Sequence, residues 1–181
     1  MAQERTSTGY GTVAKILHWL VAAILAGQFA LGWLMPDVGR GMLPGLPMNV
    51  HISVGIVVLT LIVVRWIWRM THPVPSESEL PRWQRNASTA VHWALYALVL
   101  VTTLSGWFYA SARGWPLTFF GLVTLPALVA QGSPAGRAIG GIHESIVWVL
   151  LAVILIHVAA AMLHAFVYRD RVMQRMLFRS S

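Results

Sequence analysis

The chain contains no cysteine in 181 residues. That absence removes disulfides, thiolate-held iron–sulfur clusters and the CxxCH attachment of a c-type haem. Charge is almost as scarce: Asp, Glu, Lys and Arg together supply 10% of the residues, against roughly 25% in an ordinary soluble domain. A typical water-soluble globule is thereby excluded. Nor is there an HExxH zinc motif, since Val147 stands where the histidine following His143-Glu144 would have to be.

What is present is apolar. Hydrophobic residues make up 57% of the chain and gather into four runs, about 16–34, 51–68, 89–110 and 142–168. Each has roughly the twenty residues a helix needs to cross a hydrocarbon core. The pattern predicts an all-α fold, a four-helix transmembrane bundle forming one integral-membrane domain over residues 1–181. The first run follows Arg5 and Lys15 as a signal peptide would. It is long, holds His18 and lacks a good small-residue cleavage site, so a retained span is expected. Stretches rich in Pro and Gly, 36–47, 71–81 and 112–141, separate the runs. The third includes an apolar segment, 117–130, that Pro126 interrupts and that is too short to cross; it is expected to cap the bundle at the interface.

The cations are unevenly placed. Arg5, Lys15, Arg65, Arg69, Arg82, Arg85, Arg169, Arg171, Arg175 and Arg179 fall on one side of the predicted spans, and only Arg40, Arg113 and Arg137 on the other. By the positive-inside rule both termini are cytoplasmic, as in a multi-pass protein of a bacterial inner membrane. The net charge of +7 lies beside apolar spans and forms no basic domain, so membrane lipid, not nucleic acid, is the expected partner. Several of the nine tryptophans, among them Trp19, Trp33, Trp66, Trp68, Trp83 and Trp115, cluster near span ends, where interfacial anchors belong.

Four histidines turn this topology into chemistry. His143 and His157 are fourteen residues apart, which in a helix puts them within ~40° of one face and ~21 Å apart along the axis. His18 opens the first run from the cytoplasmic side, at the depth of His157. His51 opens the second from outside, at the depth of His143. Intramembrane ionisable residues are costly, and packing alone does not require them to match in depth and face. Two pairs at two depths suit two non-covalently held haems b, each bis-His ligated with the four histidines as ligands to haem iron. A catalytic zinc would instead need three ligands converging on one ion. Filling both axial positions leaves no site for oxygen and favours electron transfer.

Other residues fit around these pairs. Arg65, fourteen after His51, is a candidate haem-propionate partner or a side chain snorkelling to the interface. Gly55 clears room for a porphyrin or for a neighbouring helix. His164, seven beyond His157 on nearly the same face, is a candidate quinone hydrogen-bond partner or proton donor. His92 either joins that quinone site or is an interfacial histidine, and His72 is expected in a loop.

The stretches AKILHWLV, VHISVGIVVLTLIVVRWIWR, AVHWALYALVL, SGWFYASARGWP, IHESI and LIHVAAAMLHAFVYRD together resemble the prokaryotic cytochrome b561 family of four-helix, di-haem membrane cytochromes, across all four spans. The chain also resembles the cytochrome subunits of formate dehydrogenases and nickel hydrogenases. The resemblance implies His18 with His157 on a cytoplasmic-side haem b and His51 with His143 on a periplasmic-side one. It further implies an enzyme, a superoxide:quinone oxidoreductase that oxidises periplasmic superoxide and reduces membrane ubiquinone, with Arg40, Arg113 and Arg137 available to steer the anion. Two other functions stay open: an electron-transfer subunit with a redox partner protein in a larger dehydrogenase or hydrogenase, and a haem-free proton or metal transporter.

Overall fold

The computed structural model describes residues 9–39, 41–72 and 80–178. Arg5, Arg40 and Arg179 of the cation asymmetry, and most of the 71–81 connection, lie outside them.

Prolines set the helix ends. Helix α1 (Thr12–Leu34) stops at Met35, whose extended backbone is the conformation favoured before Pro36. Helix α2 (Leu46–Thr71) carries Pro47 in its first turn and ends at His72, again extended before a proline. Helix α3 (Arg82–Ala112) follows Pro81. Helix α4 (Pro134–Leu163) begins with a proline after Ser133, whose hydroxyl accepts from the Gly136 amide at 3.4 Å. All four are long and apolar enough to cross a membrane. They extend beyond the apolar runs because flanking polar turns stay helical outside the hydrophobic stretch, so His51 lies in the second turn of α2 and not at its start. His72 is the C-terminal cap of α2, stacked on Trp68 with ring centroids 3.6 Å apart.

The all-α pattern has one small exception. Residues 117–130 hold a two-stranded antiparallel hairpin, β1 (Thr118–Phe119) with β2 (Val123–Thr124), at the end of the bundle away from the termini. Trp115 and Leu117 bury beneath it with Ala110, packed by Val38, Met48, Ile52, Trp107 and Leu125. Ser53, two residues from His51, ties the cap to α2. It is 2% exposed, donates to Asn49 or Thr118 carbonyls at 2.9 and 3.0 Å, and accepts from the Phe120 amide at 3.0 Å. The Trp115 indole donates to Met42 and the Trp107 indole to Pro126, so the cap is stitched to the 36–47 connection and to α3.

The close backbone neighbours run α1 with α2, α2 with α3, and α3 with α4. Contact of α4 with α1 and α2 is therefore left mainly to side chains. Near the cap α3 and α4 press together because glycines face bulky groups: a Cβ at Gly140 would run into the Tyr109 ring, and one at Gly136 into Ala112. At mid-depth Val58, Ile62, Val99 and Leu150 form the central core, with Ile24, Leu25, Phe29, Tyr96 and Ile154 against it. Leu150 falls halfway between His143 and His157, and Val58 halfway between His51 and Arg65. Seven-residue spacing keeps each series on one helix face, so a dry aliphatic layer separates two polar ones.

At the terminal end α4 widens into a π-helical turn, His164–Tyr168, closed by Arg169 in a left-handed conformation at φ 52. The chain then folds back over α1. Lys15 donates to the Leu177 carbonyl at 2.8 Å, the Trp19 indole to Met176 at 3.0 Å, and the Tyr10 amide to Arg175 at 3.3 Å.

Candidate cofactor sites

In the layer nearer the termini His18 of α1 and His157 of α4 face each other, ring centroids 6.2 Å apart and planes at 66°. Two metal–imidazole bonds of about 2 Å, plus about 1.1 Å from nitrogen to ring centre on each side, give a centroid separation of about 6 Å. The observed pair fits one metal between the rings. Three imidazoles in fact share this layer, because His92 of α3 also meets His157, at 5.3 Å. That distance is too short for two imidazoles on opposite sides of one metal; His92 packs edge-on against His157 while Ser88 lies 3.4 Å from its Nδ1. Among the described residues no group of three or more His, Cys, Asp or Glu converges in metal-binding geometry.

Arg65 crosses the same layer. Its guanidinium donates to the Ala14 carbonyl of α1 at 3.3 Å and lies 5.8 Å over the Tyr96 ring of α3. It thus bridges α1 and α3, one turn from His18 on the side of the termini.

In the layer under the cap the two histidines differ. His143 is fixed: its Nδ1 donates to the Thr102 carbonyl at 2.9 Å, with the Ser105 hydroxyl 3.1 Å away. That bond sets the tautomer and leaves Nε2 as the lone-pair nitrogen, the arrangement a metal-ligating histidine needs. Gly106 makes the room, since a Cβ there would come within 3.1 Å of the His143 Cε1. His51 lies within electrostatic reach of His143, and its Nδ1 is buried without a hydrogen-bond partner among the described residues. The Gln28 amide of α1 donates to the His51 carbonyl at 2.9 Å. A Cβ at Gly55 would stand an ordinary 3.6 Å from that same Gln28 amide, so the α1–α2 contact does not itself require a glycine there.

His164 stands apart from both layers, paired with Asp170 at 2.5 Å and beside the Tyr168 ring at 5.2 Å. Of the cap-side arginines, Arg113 is engaged: it donates to the Val38 and Gly39 carbonyls and the Tyr109 hydroxyl, and lies 4.5 Å over the Trp115 ring. Arg137 bonds the Gly132 carbonyl, and Arg40 falls outside the described residues. Spacing rules had no access to the Thr102 carbonyl, Ser105, Gly106 or Asp170. The signals in the sequence were slight: a Ser-Gly pair inside an apolar run, and a lone acid between two arginines.

A sequence profile of the family described as Prokaryotic cytochrome b561 matches residues 9–179. Cytochrome b561 homolog 2 of Escherichia coli K12 is 32% identical to the whole chain, over 97% of its own length. Cytochrome b561 homolog 1 of the same organism is 29% identical over 90% of this chain and 93% of its own. The Yersinia pestis protein named "Probable superoxide oxidase CybB" is 26% identical over 89% and 91% respectively. With the profile spanning four apolar helices and the whole-length likeness to those relatives, the chain belongs to the prokaryotic cytochrome b561 family, multi-pass membrane proteins that transfer electrons with b-type haem.

Proposed function

We propose that this member of the family is a superoxide:ubiquinone oxidoreductase of a bacterial inner membrane, with the termini cytoplasmic and the hairpin cap periplasmic. One observation carries the proposal: the 6.2 Å apposition of His18 and His157, the space of one bis-imidazole metal centre. His18 and His157 would hold one haem b, and His51 and His143 a second under the cap. Haem held by these histidines would supply one-electron transfer. The Thr102 carbonyl holds the His143 ring in the ligating tautomer, and Arg65 is placed to neutralise a propionate near His18.

The remaining assignments draw on charge and on relatives. Lys15, Arg69, Arg82, Arg85, Arg169, Arg171 and Arg175 at the terminal end support a cytoplasmic placement. The name of the Yersinia relative supports superoxide as donor. Two superoxide ions give up one electron each and leave as dioxygen, while ubiquinone takes two electrons and two protons to become ubiquinol. His92, beside His157, and His164, nearer the termini, lie on the side where a quinone would enter and are assigned to its site.

The test is anaerobic mixing of purified holoprotein with superoxide, followed by ubiquinone. Superoxide is expected to reduce the haem and quinone to reoxidise it. Haem that dithionite reduces and superoxide leaves oxidised refutes the donor, and would move the chain to the electron-relay role of a larger complex.

A further inference from the structure

We infer that Asp170 is the positioning residue that makes His164 the proton donor for quinone reduction, an inference that rests on the quinone acceptor proposed above. Residues 164 and 170 on a regular α-helix would point to different faces, about 120° apart. The π-helical turn and the left-handed Arg169 bring them together: the Asp170 amide returns to the His164 carbonyl at 3.2 Å, and Oδ2 meets His164 Nδ1 at 2.5 Å. Such π insertions are rare in helices and concentrate at functional sites. The second carboxylate oxygen is held by the Val172 amide at 3.0 Å, so both oxygens have assigned partners. Asp170 is also the only carboxylate side chain after Glu144.

The pair is reached from water. The side chains of His164 and Asp170 are 15% and 27% exposed, and Asp170 with Tyr168, Gln84, Arg171 and Arg175 lines a cleft of about 310 Å³ between the start of α3 and the C-terminal segment. The charged and titratable groups facing the pair are Tyr168, Arg171 and Arg175 from its own segment. Among its neighbours, Arg85 of α3 donates to the Leu80 carbonyl and Lys15 of α1 to the Leu177 carbonyl. With Nδ1 committed to Asp170, Nε2 is the ring nitrogen left to face a ligand, and the carboxylate fixes the orientation of the ring. His164 then gives its Nε2 proton to a quinone oxygen that has gained charge, an N–H bond breaking as an O–H bond forms. Water reaching the part-exposed imidazole reloads Nε2. Two such transfers accompany the two electrons of each quinol.

The experiment uses pre-reduced holoprotein mixed rapidly with ubiquinone-1 or with ferricyanide, an acceptor that takes electrons without protons, and follows haem reoxidation. Asp170→Asn is expected to slow the quinone reaction on the order of tenfold or more and leave the ferricyanide reaction unchanged. Asp170→Glu is expected to recover much of the quinone rate, and added imidazole to restore His164→Gly. An Asp170→Asn protein as fast as wild type with quinone, or equally slowed with both acceptors, overturns the inference. Wild-type haem that ubiquinone-1 does not reoxidise at all overturns the quinone reading itself, and this role with it.

Discussion

Gly106 of α3 lies directly against the His143 ring of α4, where a Cβ would stand 3.1 Å from Cε1 and 3.3 Å from Nδ1. That is closer than most side-chain carbons approach anything, so the missing side chain lets His143 settle onto the Thr102 carbonyl. Gly106→Val is therefore expected to push the ring off its hydrogen bond and lower haem content to about half, sparing the haem assigned to His18 and His157. Haem-to-protein ratio with the reduced spectrum checks this, and a fully loaded variant would contradict it.

Three imidazoles near one depth make the axial partner of His157 a question of distance. At 6.2 Å His18 leaves room for a metal with the two rings opposite each other, and at 5.3 Å His92 does not. His18→Ala and His143→Ala should each lose mainly one haem, whereas His92→Ala should keep both while slowing quinone reduction. Loss of a haem in His92→Ala would reassign the ligand.

Ser53 joins α2 to the hairpin through two contacts, its hydroxyl within donating distance of the Thr118 carbonyl and accepting from the Phe120 amide, while almost wholly buried. Ser53→Ala leaves the Phe120 amide without its acceptor, at a cost of about 1–3 kcal/mol. A lowered melting temperature in detergent is the expected readout, together with faster proteolysis within 117–130.

Arg113 ties the end of α3 to the 36–47 connection: its donors go to Val38, Gly39 and Tyr109. Arg113→Gln should therefore lower the melting temperature in detergent and speed proteolysis within the 36–47 connection. A variant as stable as wild type would contradict that bracing role.

The spans and the histidine pairs were legible because they obey one-dimensional rules. Apolar length marks a crossing, and a fourteen-residue interval marks one face at two depths. What escaped depends on partners far along the chain. Gly106 matters only because His143 comes to lie beside it, and Ser53 only because the hairpin folds onto α2. Asp170 reaches His164 through a backbone irregularity that no periodicity announces, so 142–168 reads as one uniform helix although its last turn is π-helical. Arg65 reads equally as a propionate partner or a snorkelling side chain, and its bond to the Ala14 carbonyl, which joins α2 to α1, is invisible to spacing.

The aliphatic layer of Val58, Val99 and Leu150 has an electrical meaning. With these side chains 1%, 2% and 2% exposed, none of the three can take up or release a proton between the two histidine levels. Electrons tunnel through saturated carbon, and hydronium does not follow them. On the haem placement proposed above, these three side chains insulate against protons and still let electrons pass.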